Sequence, residues 1–311
     1  MSRAVVATGY GGPEVLQVVD VDDALPREGE VAIEVRAAGV NPADLKSYDG
    51  TFGTDPAALP KRLGSEVSGV VTEVGPGVSG WSVEDEVIAY RVAGGYAERL
   101  VAAVDDVFGK PSALSFEQAA GLMLVGVTAA HLLEATGVRP GDTVLLHGAS
   151  GGVGTMAVQL LVARGARVLG TASPSRHDSV RALGAEPVGY GPGLADRVRA
   201  LAPDGVDVAL DTVGTDEAVD VSIELVADRS RVATIAAFAR APALGIRLLG
   251  GGPGADPGTQ VRQAARSQLL HLVAVGRLVV ELDRAFTLDD VRAAHEHVAA
   301  GRARGKVVLV P

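Results

Sequence analysis

The stretch His147-Gly148-Ala149-Ser150-Gly151-Gly152-Val153-Gly154 constrains this chain more than any other. It follows the apolar run 143–146, which reads as a buried strand. It opens a segment with apolar residues at helical spacing: Val153, Met156, Ala157, Leu160 and Leu161. A buried strand that turns through glycines into a helix is the phosphate-binding turn of a dinucleotide site. Aligned with that pattern, Ala149 takes the first glycine position, Gly151 the second and Gly154 the third. The second glycine lets backbone approach a pyrophosphate, and the third lets the helix pack on its strand. The helix start, from Ser150 and Gly151 through Gly152, Val153 and Gly154, then offers free N–H groups and a positive dipole end to phosphate. No Lys-Ser/Thr pair follows the last glycine, which excludes a P-loop.

The rest of the chain agrees with this turn. Downstream, strands read at 167–171, 187–189, 206–210 and 231–235 alternate with helices at 176–183, 194–201 and 217–227. That alternation predicts an α/β fold, a doubly wound parallel sheet. Residues 1–120 read instead as β-rich, with strands at 31–35, 67–74 and 87–90 between glycine and proline turns. Ser115 with Gln118 is a capping-box signal for the helix that follows. A glycine-rich loop at 250–254 precedes a helix at 259–275, a strand at 278–280, a helix at 288–299 and a strand at 307–310. The expected division is 1–120 with 259–311 around a nucleotide-binding domain at 121–258.

The end of the second strand selects the nucleotide. An NAD site carries an acid there, about 20 residues past the glycines, for the ribose hydroxyls. Here the residues are Thr171-Ala172-Ser173-Pro174-Ser175-Arg176. Hydroxyls and a guanidinium suit a 2′-phosphate, and one charge-assisted bond of about 1.5–3 kcal/mol favours NADPH roughly ten- to a hundredfold. Thr212, Val213 and Gly214 follow another strand and are expected to line the nicotinamide end. Tyr190, past the third strand, is a candidate for the adenosine side, with a surface loop position equally open.

Composition removes several alternatives. The net charge of −10 and the lack of a basic run argue against nucleic acid and anionic membranes. With no cysteine, there is no disulfide, thiol nucleophile or cysteine-based zinc site. The apolar stretch 121–133 is too short to span a bilayer. The N-terminal residues form no long apolar signal, and a cytoplasmic protein is expected. Lysine follows no tyrosine at the Tyr-x-x-x-Lys spacing of short-chain dehydrogenases.

The motifs together resemble the zinc-independent quinone oxidoreductases of the medium-chain dehydrogenase/reductase superfamily. The resemblance is carried by Ala38-Gly39-Val40-Asn41-Pro42-Ala43-Asp44, Gly64-Ser65-Glu66-Val67-Ser68-Gly69 and Gly94-Gly95-Tyr96-Ala97-Glu98. It continues through Gly126-Val127-Thr128-Ala129, Gly141-Asp142-Thr143-Val144-Leu145, the glycine turn and Gly305-Lys306-Val307-Val308-Leu309. It implies a GroES-like β-rich first domain rejoined by the tail, and an active site in the cleft between the domains. It implies homodimers or homotetramers, with 246–249 as a candidate edge strand. The catalytic zinc ligands of zinc-dependent relatives would fall near Asn41 and at Ser65, so no metal is expected. His295 and His297, two residues apart on a helix, are poor joint ligands.

Without a Lewis acid, hydrogen-bond donors must stabilise the charge that hydride transfer builds on the acceptor oxygen. Asn41, Tyr48 and Lys46 are the candidates, with a turn role before Pro42 as the lesser alternative for Asn41. Thr128 is expected beside the nicotinamide, and Lys306 is grouped with the cofactor-binding residues. The implied activity is NADPH-dependent reduction of a quinone or an α,β-unsaturated carbonyl. A biosynthetic enoyl reductase, or a crystallin-like or RNA-binding protein with little turnover, stands as the alternative. Phe52, Tyr48, Leu124 and the region 238–252, a candidate mobile lid, are the expected cleft-lining residues.

Overall fold

The computed structural model describes residues 1–301 and 303–311. The chain forms two compact units, one of residues 1–124 with 280–311 and one of residues 125–279.

In the second unit the apolar runs form a parallel sheet of six strands. Across it the order is Glu186–Val188, Arg167–Thr171, Thr143–His147, Val208–Asp211, Val232–Thr234 and Arg247–Leu248. Val144, Leu145, Leu146, Val208, Ala209 and Leu210 are wholly buried. Such uninterrupted apolarity belongs to strands covered on both faces. The helices read from sequence lie where expected, within a residue or two at their ends. One difference is local: Pro174–Arg176 forms a tight 3₁₀ turn before the helix His177–Ala182. Arg247–Leu248 is the edge strand anticipated at 246–249, and Leu249 then bridges to Asp256.

The helix Thr259–Ala274 belongs to this unit, which corrects the expected boundary at residue 258. Its packing explains why. Leu269 lies so close to Gly126 that a Cβ there would stand 2.7 Å from Leu269 Cδ1. Arg262 reaches back to His131 and Thr128 on the helix Met123–Ala135. The strand expected at 278–280 is not formed. Instead the Gln159 side chain brackets Val279, accepting from its N–H at 2.8 Å and donating to its carbonyl at 3.1 Å.

The first unit is built around the long strand Glu30–Val40, whose register shifts at 32/33 and 35/37 bend it. The bend lets one strand pair with Glu66–Val74, Arg99–Ala103 and Lys306–Val310. The sheet continues to Glu86–Tyr90 and Val107–Gly109 on one side and to Leu282–Thr287 on the other. That last strand is largely exposed and partly polar, so it lacked the apolar pattern that marks a strand in sequence. A smaller sheet joins Leu16–Val21, Ser2–Ala7 and Lys61–Arg62. The core gathers Ile33, Val67, Val71, Val87, Tyr96 and Leu309 among others. The tail therefore rejoins the first unit as expected, but from residue 280 onward. Among the described residues, no helix is long and apolar enough to cross a membrane.

Gly69 marks the tightest crossing in this sheet. A Cβ there would overlap the Glu34 carbonyl oxygen and stand 2.8 Å from Ile33 Cγ2. Gly69→Ala should therefore lower the unfolding free energy by about 2–3 kcal/mol, the scale of overpacking in a closed core. Urea unfolding checks this; a variant as stable as the parent would show that the strand pair opens there without cost.

Candidate functional site

The parallel register aligns the strand ends of the second unit. His147 lies opposite Thr171 and Asp211, Thr171 opposite Val188, and Asp211 opposite Thr234. The segments that follow these residues all leave the sheet along one edge. The chain runs to one side of Thr143–His147 first and to the other afterwards. That switch opens a crevice at the carboxyl ends, where ligands bind in such sheets.

The glycine turn departs from the sequence alignment in one instructive way. The left-handed residue is Gly148, with φ +79°, and not Ala149. A side chain at Gly148 would stand 2.6 Å from both Thr212 Oγ1 and Val213 Cγ2. Ala149 is regular; its N–H donates to the Thr171 carbonyl at 3.0 Å, and its methyl group fills space above Gly170. Alanine in the nominal first glycine position is thus accommodated by a shift of one residue. Gly154 does what the third glycine should: a Cβ there would overlap the Gly148 carbonyl oxygen. Gly151 stands at the N-cap of the helix Gly152–Ala163 and supplies no side-chain hydrogen bond to its opening N–H groups.

The remaining predicted residues of this unit, Thr128 apart, follow the carboxyl ends of the same strands. Ser173 and Ser175 share a hydrogen bond at 3.2 Å, and the Arg176 N–H donates to the Ser173 carbonyl at 2.8 Å. One terminal nitrogen of Arg176 is buried without a hydrogen-bond partner among the described residues. Tyr190 is 61% exposed beyond the third strand. Asp211 holds the turn that carries Thr212, Val213 and Gly214: its Oδ1 accepts from the N–H groups of Val213 and Gly214, and its Oδ2 from Thr234. The Thr212 hydroxyl donates to the His147 carbonyl at 2.7 Å. Thr128 is buried and accepts from Arg262 at 3.1 Å. His147 was passed over in the sequence; it is buried, its Nε2 is unpartnered, and burial holds its pKa well below the usual histidine value.

The first unit reverses several expectations. Asn41 is buried, and its amide is fully engaged. Nδ2 donates to Glu66 Oε1 at 2.9 Å and to the Gly39 carbonyl at 3.3 Å, while Oδ1 accepts from Lys306 Nζ at 2.6 Å. Both amide hydrogens are thus taken, which corrects the reading of Asn41 as a free donor. Lys306 also donates to Glu66 Oε1 at 2.8 Å. It is buried in the first unit between Asn41 and Glu66. Tyr48 is buried as well, and its hydroxyl shares a 2.8 Å hydrogen bond with His295 Nδ1. His297 is occupied separately by Asp283 at 2.5 Å. Lys46 alone of the three donors is partly exposed, at the end of the helix Pro42–Lys46; burial lowers its pKa, and Asp49 opposes that shift.

Sequence reasoning missed the residues that organise this cluster. Asp44 Oδ2 accepts from the Asn41 N–H and from the Tyr96 hydroxyl, both at 2.9 Å. Glu66 Oε2 accepts from the Leu124 N–H at 2.8 Å. The available signal was an acid beside apolar runs, Asp44 at the third position of the helix after Asn41 and Glu66 at the start of an apolar strand, where a buried acid needs a partner. Among the described residues, no three histidine or acidic side chains come together as a metal-binding group.

Known proteins match this arrangement along its whole length. The profile of the alcohol dehydrogenase GroES-like domain covers residues 27–112, and that of zinc-binding dehydrogenases covers 183–309. A quinone oxidoreductase of Pseudomonas aeruginosa is 35% identical over 100% of both chains. The chain belongs to the quinone oxidoreductase family. Among solved structures, the quinone oxidoreductase of Pseudomonas syringae pv. tomato superposes with a TM-score of 0.86 at 32% identity, covering 100% of both chains. The Escherichia coli quinone oxidoreductase, solved with NADPH, gives 0.85 at 28% identity over 99% of this chain and 100% of its own. Family membership makes this protein an oxidoreductase with a GroES-like first domain and a nucleotide-binding second domain.

One carboxyl in this oxidoreductase should register in its stability. Burial pushes the Asp44 carboxyl up to about 6, against hydrogen bonds from Tyr96 and Asn41 that favour the anion. The folded chain therefore holds a proton that the unfolded chain releases near pH 4, and stability falls as the pH rises through that window. Asp44→Asn keeps an acceptor for both neighbours and has no proton to lose. Its stability relative to the parent should rise by up to about 3 kcal/mol between pH 4 and pH 7. Urea unfolding across that range tests this; a constant difference would place the Asp44 pKa at its ordinary value.

Proposed function

We propose that this oxidoreductase uses NADPH to reduce a quinone or an α,β-unsaturated carbonyl, without a metal. The observation that carries the cofactor is Arg176. A buried guanidinium nitrogen lacks a partner among the described residues, beside the hydroxyls of Ser173 and Ser175, at the strand end where an NAD site would carry an acid. A 2′-phosphate supplies the oxygens that this group needs. The start of the helix Gly152–Ala163, which has no side-chain cap, suits the pyrophosphate. The NADPH in the Escherichia coli relative supports the same reading.

NADPH supplies the hydride when bound. The protein's part is to hold the nucleotide and to balance charge at the acceptor. In the second unit, Ser173 and Arg176 fix the phosphate end, and the turn at Thr212, Val213 and Gly214, anchored by Asp211, walls the crevice. In the first unit, Lys46 is the group we assign to the negative charge that develops on the acceptor oxygen. Its ammonium is partly desolvated, which strengthens its interaction with an anion. The metal-free part of the reading rests on donor chemistry. Lys306 already places an ammonium against Asn41 Oδ1 and Glu66 Oε1, so these oxygens share an internal cation.

The deciding experiment follows the loss of NADPH absorbance with a small quinone and, separately, an enone, with EDTA present and NADH as control. Turnover that prefers NADPH and survives the chelator is expected. Activity lost to EDTA and restored by zinc would overturn the metal-free reading. Arg176→Ala should raise the KM for NADPH about ten- to a hundredfold and leave NADH nearly unchanged. Equal losses with both cofactors would remove the phosphate assignment. Lys46→Met should lower kcat by at least tenfold, at the modest end of what loss of a transition-state donor costs; an unchanged kcat would exclude Lys46.

A further inference from the structure

His131 lies in the second unit, buried on the helix Met123–Ala135, and a chain of contacts passes through its ring. Arg262, in the opening turns of the helix Thr259–Ala274, directs Nε at His131 Nδ1 at 3.3 Å. Its Nη1 donates to the Thr128 hydroxyl at 3.1 Å. On the other side, Asp256 Oδ2 is 3.5 Å from His131 Nε2, while Oδ1 accepts from the Gly258 N–H at 2.8 Å. Asp256 also ties the glycine-rich segment to the sheet edge: its N–H donates to the Leu248 carbonyl at 2.9 Å, and its carbonyl accepts from the Gly250 N–H at 2.8 Å.

Chemistry sets the protonation of this histidine. A guanidinium only donates, so Nδ1 must be the acceptor and the proton must sit on Nε2, facing the carboxylate. The ring also lies flat on backbone. A Cβ at Gly258, which has φ +56°, would overlap the ring at Cε1 and Nε2 and stand 2.5 Å from Nδ1. The ring cannot turn without moving the helix start.

We propose that His131 is a positioning residue of the nucleotide site, holding Arg262 on the Thr128 hydroxyl and the 249–258 segment against the helix Thr259–Ala274 only while its ring is neutral. The proposal rests on reading Thr128 as part of the cofactor site. A second proton would have to sit on Nδ1. There it would oppose the Arg262 N–H, donor against donor and cation against cation, and the contact would open. Arg262 and Asp256 are the charged groups that face the ring from the neighbouring elements; Glu134, on the same helix, is drawn away to Arg164. Burial and Arg262 lower the affinity of His131 for a proton, and Asp256 partly restores it. The neutral state therefore prevails at neutral pH and is lost as the pH falls below the ordinary histidine range.

The test compares the parent with His131→Gln and Asp256→Asn. Glutamine can accept and donate as neutral histidine does, but it does not titrate. NADPH dissociation constants are measured by calorimetry from pH 8 to pH 5. Titration of the nucleotide's own phosphate is common to all three proteins and cancels in their ratio. The parent should match His131→Gln at pH 8 and weaken relative to it on the order of tenfold as the pH falls. Asp256→Asn should move that midpoint to lower pH. A ratio that stays flat, or a midpoint that Asp256→Asn leaves in place, overturns the proposal. Amide exchange of residues 249–258 in the nucleotide-free protein tests the tie separately: acid should loosen the segment in the parent and spare it in His131→Gln, and equal loosening overturns the tie. NADPH binding by none of the proteins would overturn the cofactor reading, and the exchange comparison would still decide whether His131 holds the segment.

Discussion

The helix Gly152–Ala163 can lie against its strand because nothing projects from Gly154 toward the Gly148 carbonyl. That approach is closer than any side chain allows. It sets where the helix begins, and so where its opening N–H groups point. The turn beneath is fixed by a second contact of the same kind, Gly148 against Thr212 and Val213. Two bare Cα atoms thus hold together segments from both halves of the sheet. The crevice is a consequence of backbone proximity before it is a matter of polar chemistry.

The first unit is organised on the opposite principle. Its centre holds charge: Lys306 between Asn41 and Glu66, with Asp44 and Tyr96 alongside. Buried charges are tolerated when their lone pairs and protons are met, and here Glu66 Oε1 accepts from both Asn41 and Lys306 while Oε2 accepts from the Leu124 N–H. Gly39 belongs to the arrangement, since a Cβ there would overlap Glu66 Oε1 and the Ala120 carbonyl. Such a network fixes the start of the helix Pro42–Lys46, and hence the base from which Lys46 extends.

Most of the second unit was legible because its signals are local. Strand runs, glycine spacing and the acid-free stretch 171–176 each fit within a short window. The first unit was harder to read because its decisive contacts are remote in sequence. Tyr48 looked like an available donor, and only His295, 247 positions on, shows its hydroxyl to be engaged. The Asn41 amide donates to Glu66, 25 positions on, and accepts from Lys306, 265 positions on. Leu282–Thr287 was missed because an exposed edge strand has no apolar face to announce it. The helix Thr259–Ala274 was given to the wrong unit because periodicity reports a helix and not its neighbours.

The strand Lys306–Val310 pairs with Val40, Gly39 and Ala38, so the sheet begun near the start of the chain is completed by residues close to its end. The second unit is whole once residue 279 has been made. During synthesis the order of folding is therefore inverted: the nucleotide-binding unit can close first, while the earlier-made strands wait for their last partner. Until then the Ala38–Val40 end of the long strand lacks its partner on one side, and the nascent chain depends on that short gap being filled before another strand finds it.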